Sequence, residues 1–269
     1  MEKTTAIYLA AGLSSRFGGR IKALIKVGPN NETLLELSMI QAIKAGFNKF
    51  VIVVSDKTIE PIKDYFKESF REIPIKYAIQ TTPEYREKPL GTSHALLSAK
   101  DMINEPFIIL NSDDIYGVET LTKLVDYIIN EKGYCLPGYK LKNSIPEQGT
   151  VNRGWIKPLE GLFVDVIEEQ FNISMEDIPF KYSGEELISM NIFGLQPDFF
   201  EFLEKDFNDF KEKNKEDTKK EWLLLDSVTN FTKQTGTKVK VLPTDDIPIG
   251  VTNPEDEEIV RKKLKGSQF

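Results

Sequence analysis

The chain is poor in the residues that make thiolate and imidazole chemistry: its 269 residues hold one cysteine, Cys135, and one histidine, His94. One cysteine forms no internal disulfide, and one thiol with one imidazole falls short of a structural zinc site. Any metal is therefore expected on carboxylates. No apolar run is long enough to cross a bilayer, so no membrane is expected as a partner. The opening Met1-Glu2-Lys3-Thr4-Thr5 leads into a short apolar run that stops at Gly12. It reads as a first strand and not as a signal peptide, and cytoplasmic residence is the expectation. Positive charge is not in excess either: Lys and Arg number 35 against 42 Asp and Glu, a net charge of −7. A nucleic-acid backbone is gripped by clustered cations, so nucleic acid is no expected partner, whereas a small phosphate ligand needs only a few local ones. Internal repeats and low-complexity linkers are missing as well, and the expectation is one domain over 1–269 with two halves, 1–115 and 116–269.

Short apolar runs alternate with helical patterns through the first half. Ala6–Ala11 reads as a buried strand, and Phe50–Val54, Ile75–Ile79 and Phe107–Leu110 as further strands. Leu34–Ala45, stopped by Gly46, and Ile59–Phe70 and Ser93–Met102 read as helices. This alternation predicts an α/β fold with a doubly wound, mostly parallel sheet, whose ligands gather at the carboxyl ends of the strands, after Ala11, Val54 and Leu110. The second half is less regular. Tyr134–Leu141, Gly161–Glu168 and Leu187–Leu195 read as strands, Asp198–Phe210 and Trp222–Gln234 as helices, and Pro254–Lys265 as a closing helix. The mixed-charge run Lys211–Lys220 reads as a solvated loop or helix end.

The most informative stretch is L-A-A-G-L-S-S-R-F-G-G-R-I-K-A-L-I-K, residues 9–26. A strand delivers a Gly/Ser loop whose backbone N–H groups can wrap a polyphosphate, with Arg16 and Lys22 supplying charge. It lacks the G-K-[ST] ending of a P-loop and the G-x-G-x-x-G of a dinucleotide fold. L-A-A-G-x-x-S-R-F-G-G followed by a lysine resembles the signature loop of the sugar-phosphate nucleotidyltransferase superfamily. The resemblance extends over roughly residues 5 to 260 and implies a Rossmann-like nucleotidyltransferase fold with a nucleotide-binding first half and an acceptor-binding lobe. It also implies Mg²⁺ as cofactor, and a nucleoside triphosphate and a phosphorylated small acceptor as partners.

Carried over residue by residue, Ala10, Ala11, Gly12 and Ser14 line the triphosphate, and Arg16 and Lys22 are catalytic. Ile21 and Lys26 stand where many members have proline, which leaves Lys26 as an alternative to Lys22. Gly91-Thr92-Ser93 resembles the helix start that reads the base; an ordinary helix cap is the other reading of these residues. His94 beside them reads as structural. Asn111-Ser112-Asp113-Asp114 follows the fourth strand, and the resemblance makes Asn111 nucleotide-binding and Asp113 the catalytic metal ligand. Adjacent side chains on an extended segment diverge, so Asp114 is expected to cap or orient; an Asx turn is the alternative for the whole segment.

In the second half Gly149, Glu168 and Asn191 match acceptor-binding positions, with Glu168 and Asn191 alternatively core-edge polar residues. Glu169 replaces the basic residue common in relatives, which leaves Arg153 or Lys157 for the acceptor phosphate. Asp246 is the candidate second metal ligand, and a solvated turn is the alternative there. The acceptor implied is a sugar 1-phosphate; an alcohol phosphate taken by a cytidylyltransferase, or a non-catalytic nucleotide-binding subunit, stay open.

Overall fold

Alternate residues of the central strands feed two different cores. Strand β1 (Thr5–Leu9) sends Ala6 and Tyr8 into one cluster and Ile7 into another, and the same division separates Phe50, Ile52 and Val54 from Val51 and Val53 in β2 (Lys49–Val54). Period-2 alternation of apolar residues on both faces is the mark of a sheet covered by helices on both sides. The structure is a computed structural model, and it describes residues 3–12, 17–146, 149–251 and 253–266.

Three helices, α1 (Leu34–Lys44), α2 (Ile59–Phe66) and α4 (Val118–Asn130), contribute to the first core, and α3 (Thr92–Leu97), α5 (Phe199–Lys213) and α6 (Leu224–Thr235) to the second. The fold is α/β and doubly wound, as predicted. Among the described residues eleven strands form one sheet in the order β10-β8-β9-β12-β7-β11-β5-β1-β2-β4-β3. Here β3 is Ser69–Phe70, β4 Ile73–Ile79, β5 Phe107–Asn111, β7 Tyr134–Lys140, β8 Val151–Leu159, β9 Phe163–Ile173, β10 Leu187–Ser189, β11 Phe193–Leu195 and β12 Val239–Thr244. Pairing is parallel through β5-β1-β2-β4 and between β7 and β12, and the other ladders are antiparallel. A two-stranded ribbon joins β6 (Asp114–Ile115) to β13 (Ile249–Gly250). The closing helix α7 (Asp256–Leu264) puts Val260 and Leu264 into a third cluster with Phe17, Ile25 and Val27, against Leu34, Leu37 and Ile40 of α1.

Helix α1 begins on a capping box: Thr33 Oγ1 accepts from Glu36 N at 3.1 Å, and Thr33 N donates to the Glu36 carboxylate at 2.7 Å. Gly46, with φ of 100°, follows it as predicted.

Expectation and structure differ at several elements. Helix α2 stops at Phe66 because Lys67 turns to φ 58°, and Ser69–Phe70 returns as a strand on β4. The expected strand Leu187–Leu195 is two strands, broken where Asn191 adopts φ 58°. Helix α3 ends at Leu97, with a separate 3₁₀ turn over Lys100–Met102. Helix α4 and strands β8 and β12 were not anticipated. The charged run after Phe210 is the last turn of α5 followed by turns.

Candidate active site

The carboxyl ends of β1 and β5 lie side by side, because the two strands pair in parallel from Thr5↔Phe107 to Leu9↔Asn111. Ala10 and Ala11 are buried just past β1, and Gly12 faces open space where a Cβ would meet nothing within 4 Å. Ser14 and Arg16 lie outside the described residues. On the far side of the loop, Lys22 opens a 3₁₀ turn and brings Nζ to 3.2 Å from Asp113 Oδ2, with the Phe17 ring 5.1 Å beneath it. Lys26 is exposed, and its backbone carbonyl is taken by Arg261 Nε at 3.0 Å. Lys22, not Lys26, stands at the strand ends.

Asp113 and Asp114 have different partners. Asp113 faces Lys22, whereas Asp114 accepts from Asn111 Nδ2 at 2.9 Å and packs against Gly250, where any Cβ would strike its carboxylate. Burial, with the neighbouring Asp113 charge adding to it, pushes Asp114 up to about 6. Asn111 N donates to Tyr116 Oη at 2.9 Å, and Asn191 Nδ2 donates to Asn111 Oδ1 at 3.0 Å. The structure thus brings Asn111, Asp113, Asp114 and Asn191 together, and all four line a cavity of about 600 Å³. Thr92, Arg153 and Glu169 are also in its wall.

Other expected residues are placed elsewhere. Glu168 opposes Trp155 across the β8–β9 ladder, and its carboxylate pairs with Lys157 Nζ at 2.6 Å. Successive side chains on a strand face opposite sides, so it is Glu169 that reaches the cavity. Asp246 is not in the wall: its Oδ2 accepts from Thr120 N at 2.9 Å and Thr120 Oγ1 at 2.8 Å, satisfying the first turn of α4. Gly149 sits exposed in a turn with φ of 84° and is not among the lining residues.

Gly91 has φ of 109° and backs onto Trp222, whose carbonyl oxygen would be 2.5 Å from a Cβ. Trp222 O accepts from Ser93 N at 3.1 Å and Thr92 Oγ1 accepts from Leu224 N at 2.9 Å, so part of this helix start is bound to α6. His94 packs beside Phe207 with the rings tilted and their centroids 5.4 Å apart; burial, then the Arg86 charge, lowers its pKa. It serves packing.

The family described as MobA-like NTP transferase domain matches residues 6–150, from β1 to the turn before β8. The chain belongs to the sugar-phosphate nucleotidyltransferases. This nucleotidyltransferase is 33% identical over 197 residues to the D-glycero-α-D-manno-heptose 1-phosphate guanylyltransferase of Campylobacter jejuni, a match covering 72% of the chain and 77% of that protein. It is 29% identical over 204 residues to the bifunctional protein GlmU of Methanococcus maripaludis, 74% of the chain but only 42% of that longer relative. Among solved structures it superposes on a putative glucose-1-phosphate thymidylyltransferase from Bacillus anthracis with a TM-score of 0.71 at 14% identity, covering 99% of this chain and 97% of the other. The inositol-1-phosphate CTP transferase of T. maritima superposes with a TM-score of 0.67 at 15% identity, covering 100% and 99%. At these identities the structural likeness is one of fold.

The transferase's strand ends suit a hard divalent cation that shares its shell with a ligand. Among the described residues no group of three or more His, Cys, Asp or Glu side chains could by itself hold a metal ion. Asp113 offers carboxylate oxygens beside the cavity. Mg²⁺ typically takes one or two carboxylates and completes its shell with phosphate oxygens and water, so this sparse donor set fits it.

Proposed function

We propose that this nucleotidyltransferase couples a nucleoside triphosphate to a phosphorylated small acceptor, with a sugar 1-phosphate as the acceptor class, and releases pyrophosphate. An oxygen of the acceptor phosphate attacks the α-phosphorus; the new P–O bond forms as the bond from the α-phosphorus to the bridging oxygen breaks, and pyrophosphate leaves with that oxygen. Such a displacement needs no side-chain nucleophile, only alignment and neutralised charge. Lys22 contacts phosphate charge at the strand ends, and Arg16, assigned by the resemblance of its loop, holds the leaving pyrophosphate. Asn111 and Asn191, linked to one another, orient groups on the two sides of the cavity. Asp113 is the residue to hold Mg²⁺, which when bound would neutralise phosphate charge at the reacting centre.

The observation that carries this reading is the 3.2 Å pairing of Lys22 with Asp113 at the mouths of β1 and β5, beside the cavity. The chemistry named for the Campylobacter jejuni relative supports the acceptor class. A cytoplasmic setting is part of this proposal; among the described residues no helix is long and apolar enough to cross a membrane. The test is pyrophosphate release with each of the four ribonucleoside triphosphates and deoxythymidine triphosphate against a panel of sugar 1-phosphates and alcohol phosphates, with Mg²⁺ present and chelated. Release that needs both an acceptor and the metal is expected. Tight triphosphate binding with no release under any pairing would overturn catalysis in favour of a binding subunit.

A further inference from the structure

Strand β11 opposes β5 from Leu195↔Phe107 to Phe193↔Ile109, and one more rung of the same ladder would set Asn191 against Asn111. That rung is not made. Alternate residues of a strand turn their N–H groups to the same neighbour. Ser112 N reaches Leu9 O of β1 at 3.3 Å, so Asn111 N faces the β11 side. There it meets a side chain and not a backbone: it donates to Tyr116 Oη at 2.9 Å, where Asn191 has turned away at φ 58°. The hydroxyl has one proton to give, and both acceptors within its reach belong to the site, Met190 O at 3.3 Å and Asp114 Oδ2 at 3.5 Å. Tyr116 Oη thus stands where the two strands part, taking the N–H of one and facing the carbonyl that leads into the other.

Its own placement is fixed from several directions. The Tyr116 ring is fully buried in the first core, its backbone carbonyl accepts from Tyr139 Oη at 2.8 Å, and the next residue, Gly117, donates its N–H to Gln41 Oε1 at 3.0 Å. Asn111, Asp114, Met190 and Asn191 line the cavity, and Tyr116 does not. Without the hydroxyl, Asn111 N and Met190 O would both lose a partner, and pairing Asn111 N with the facing backbone would be the nearest repair. Closing that rung would draw together the two strand ends that carry the Asn111 and Asn191 side chains.

We propose that Tyr116 is a positioning residue for the transfer: its hydroxyl, lodged between Asn111 and Met190, keeps the mouths of β5 and β11 apart so that Asn111 and Asn191 present their side chains to the cavity. The role rests on reading the cavity as the place where triphosphate and acceptor meet.

The experiment is Tyr116→Phe, which removes one oxygen and keeps the ring, with Tyr134→Phe as control. Tyr134 is another buried tyrosine, its hydroxyl donates to Asp198, and neither of these two residues lines the cavity. Pyrophosphate release is measured with both substrates saturating, at a temperature where circular dichroism shows each protein folded. For Tyr116→Phe, kcat is expected to fall at least about tenfold, as a small misalignment of reacting groups implies, while KM for triphosphate and for acceptor stays within about threefold. Tyr134→Phe should keep the wild-type kcat. Because both act on one joint, Tyr116→Phe and Asn191→Ala should combine with less than additive effect on kcat/KM. Hydrogen exchange needs no variant: the Asn111 amide should be protected in the wild-type protein. Wild-type kcat in folded Tyr116→Phe, an equal fall in Tyr134→Phe, additivity with Asn191→Ala, or an unprotected Asn111 amide would each overturn the role of Tyr116 while leaving the transferase reading intact. No release by the wild-type protein with any acceptor and any triphosphate would sink the transferase reading and this inference with it.

Discussion

Asn191 donates its side-chain amide to the side-chain carbonyl of Asn111 at 3.0 Å, across 80 residues of sequence. The bond fastens the break between β10 and β11 to the mouth of β5, and so ties the half that carries Arg153 and Glu169 to the half that carries Lys22 and Asp113. Asn191 holds it from a left-handed conformation, φ 58°, which asparagine tolerates better than most residues.

Asn191→Ala is accordingly expected to lose a hydrogen bond and to strain the backbone, destabilising by roughly 1–3 kcal/mol. Asn191→Gly relieves the strain but equally lacks the bond, so it should be the more stable of the two while sharing a raised KM for acceptor. Denaturant midpoints and acceptor KM values for both variants check this; equal midpoints would mean that the conformation carries no cost.

Gly91→Ala places a Cβ 2.5 Å from the Trp222 carbonyl at a φ of 109°, and backbone atoms cannot step aside cheaply. A loss of more than about 2 kcal/mol is expected. Gly12→Ala meets open space, and its stability should stay within about 0.5 kcal/mol of wild type while triphosphate affinity falls. Urea titration separates the two glycines.

Much of this fold was legible because its first half is locally consistent: β1, β2 and β5 are buried apolar runs, β4 is an alternating one, helices stand between them, and the period-2 and 3.6-residue patterns differ plainly. The second half hid more. Helix α4 begins at Val118 after Gly117 with no side-chain cap of its own, and its capping carboxylate, Asp246, comes from 126 residues away. No local window contains that pair. Strand β8 holds Gly154 and Pro158, poor strand formers kept by the ladder with β9. The meeting of Asp113 and Lys22 at the strand ends was readable from the loop and the strand end. The choice of Glu169 over Glu168 turned on which face of β9 looks inward, which the long hairpin with β8 sets. The place of Asp226 in the cavity wall was not anticipated, since nothing in Trp222–Asp226 signals that α6 crosses β9.

At the amino ends of β1, β2 and β5, Glu105 accepts from Lys49 Nζ at 2.6 Å and from the Thr5 hydroxyl. Burial opposes its ionisation, but those hydrogen bonds and the Lys49 charge outweigh it, so its pKa lies below the usual carboxylate value. A carboxylate with a depressed folded pKa contributes stability that is present above the unfolded value, about 4.3, and lost as pH falls through the folded one. Stability should therefore decline on acidification below about pH 4.3, and Glu105→Gln should flatten that limb. Chemical denaturation from pH 7 to pH 3 measures it, and an equally steep acid limb in the variant would remove Glu105 from the account.

Asp113→Asn tests the centre of the mechanism. The side chain is partly exposed, 28% accessible, and its one described partner is Lys22, so an amide of the same shape should cost about 1 kcal/mol or less in stability. The same change removes the negative charge that would hold a hard cation among phosphates and that now balances Lys22. Turnover should fall by about a hundredfold or more, the scale of losing one preorganised electrostatic group at a reacting centre. If the loss is mainly one of metal affinity, raising Mg²⁺ should recover part of the rate; Lys22→Met, which removes the opposite charge, should not respond to added metal. Pyrophosphate release against Mg²⁺ concentration reads both variants, with thermal melting as the fold control. A well-folded Asp113→Asn protein turning over at the wild-type rate would mean that the mouths of β1 and β5 are not where the phosphates react.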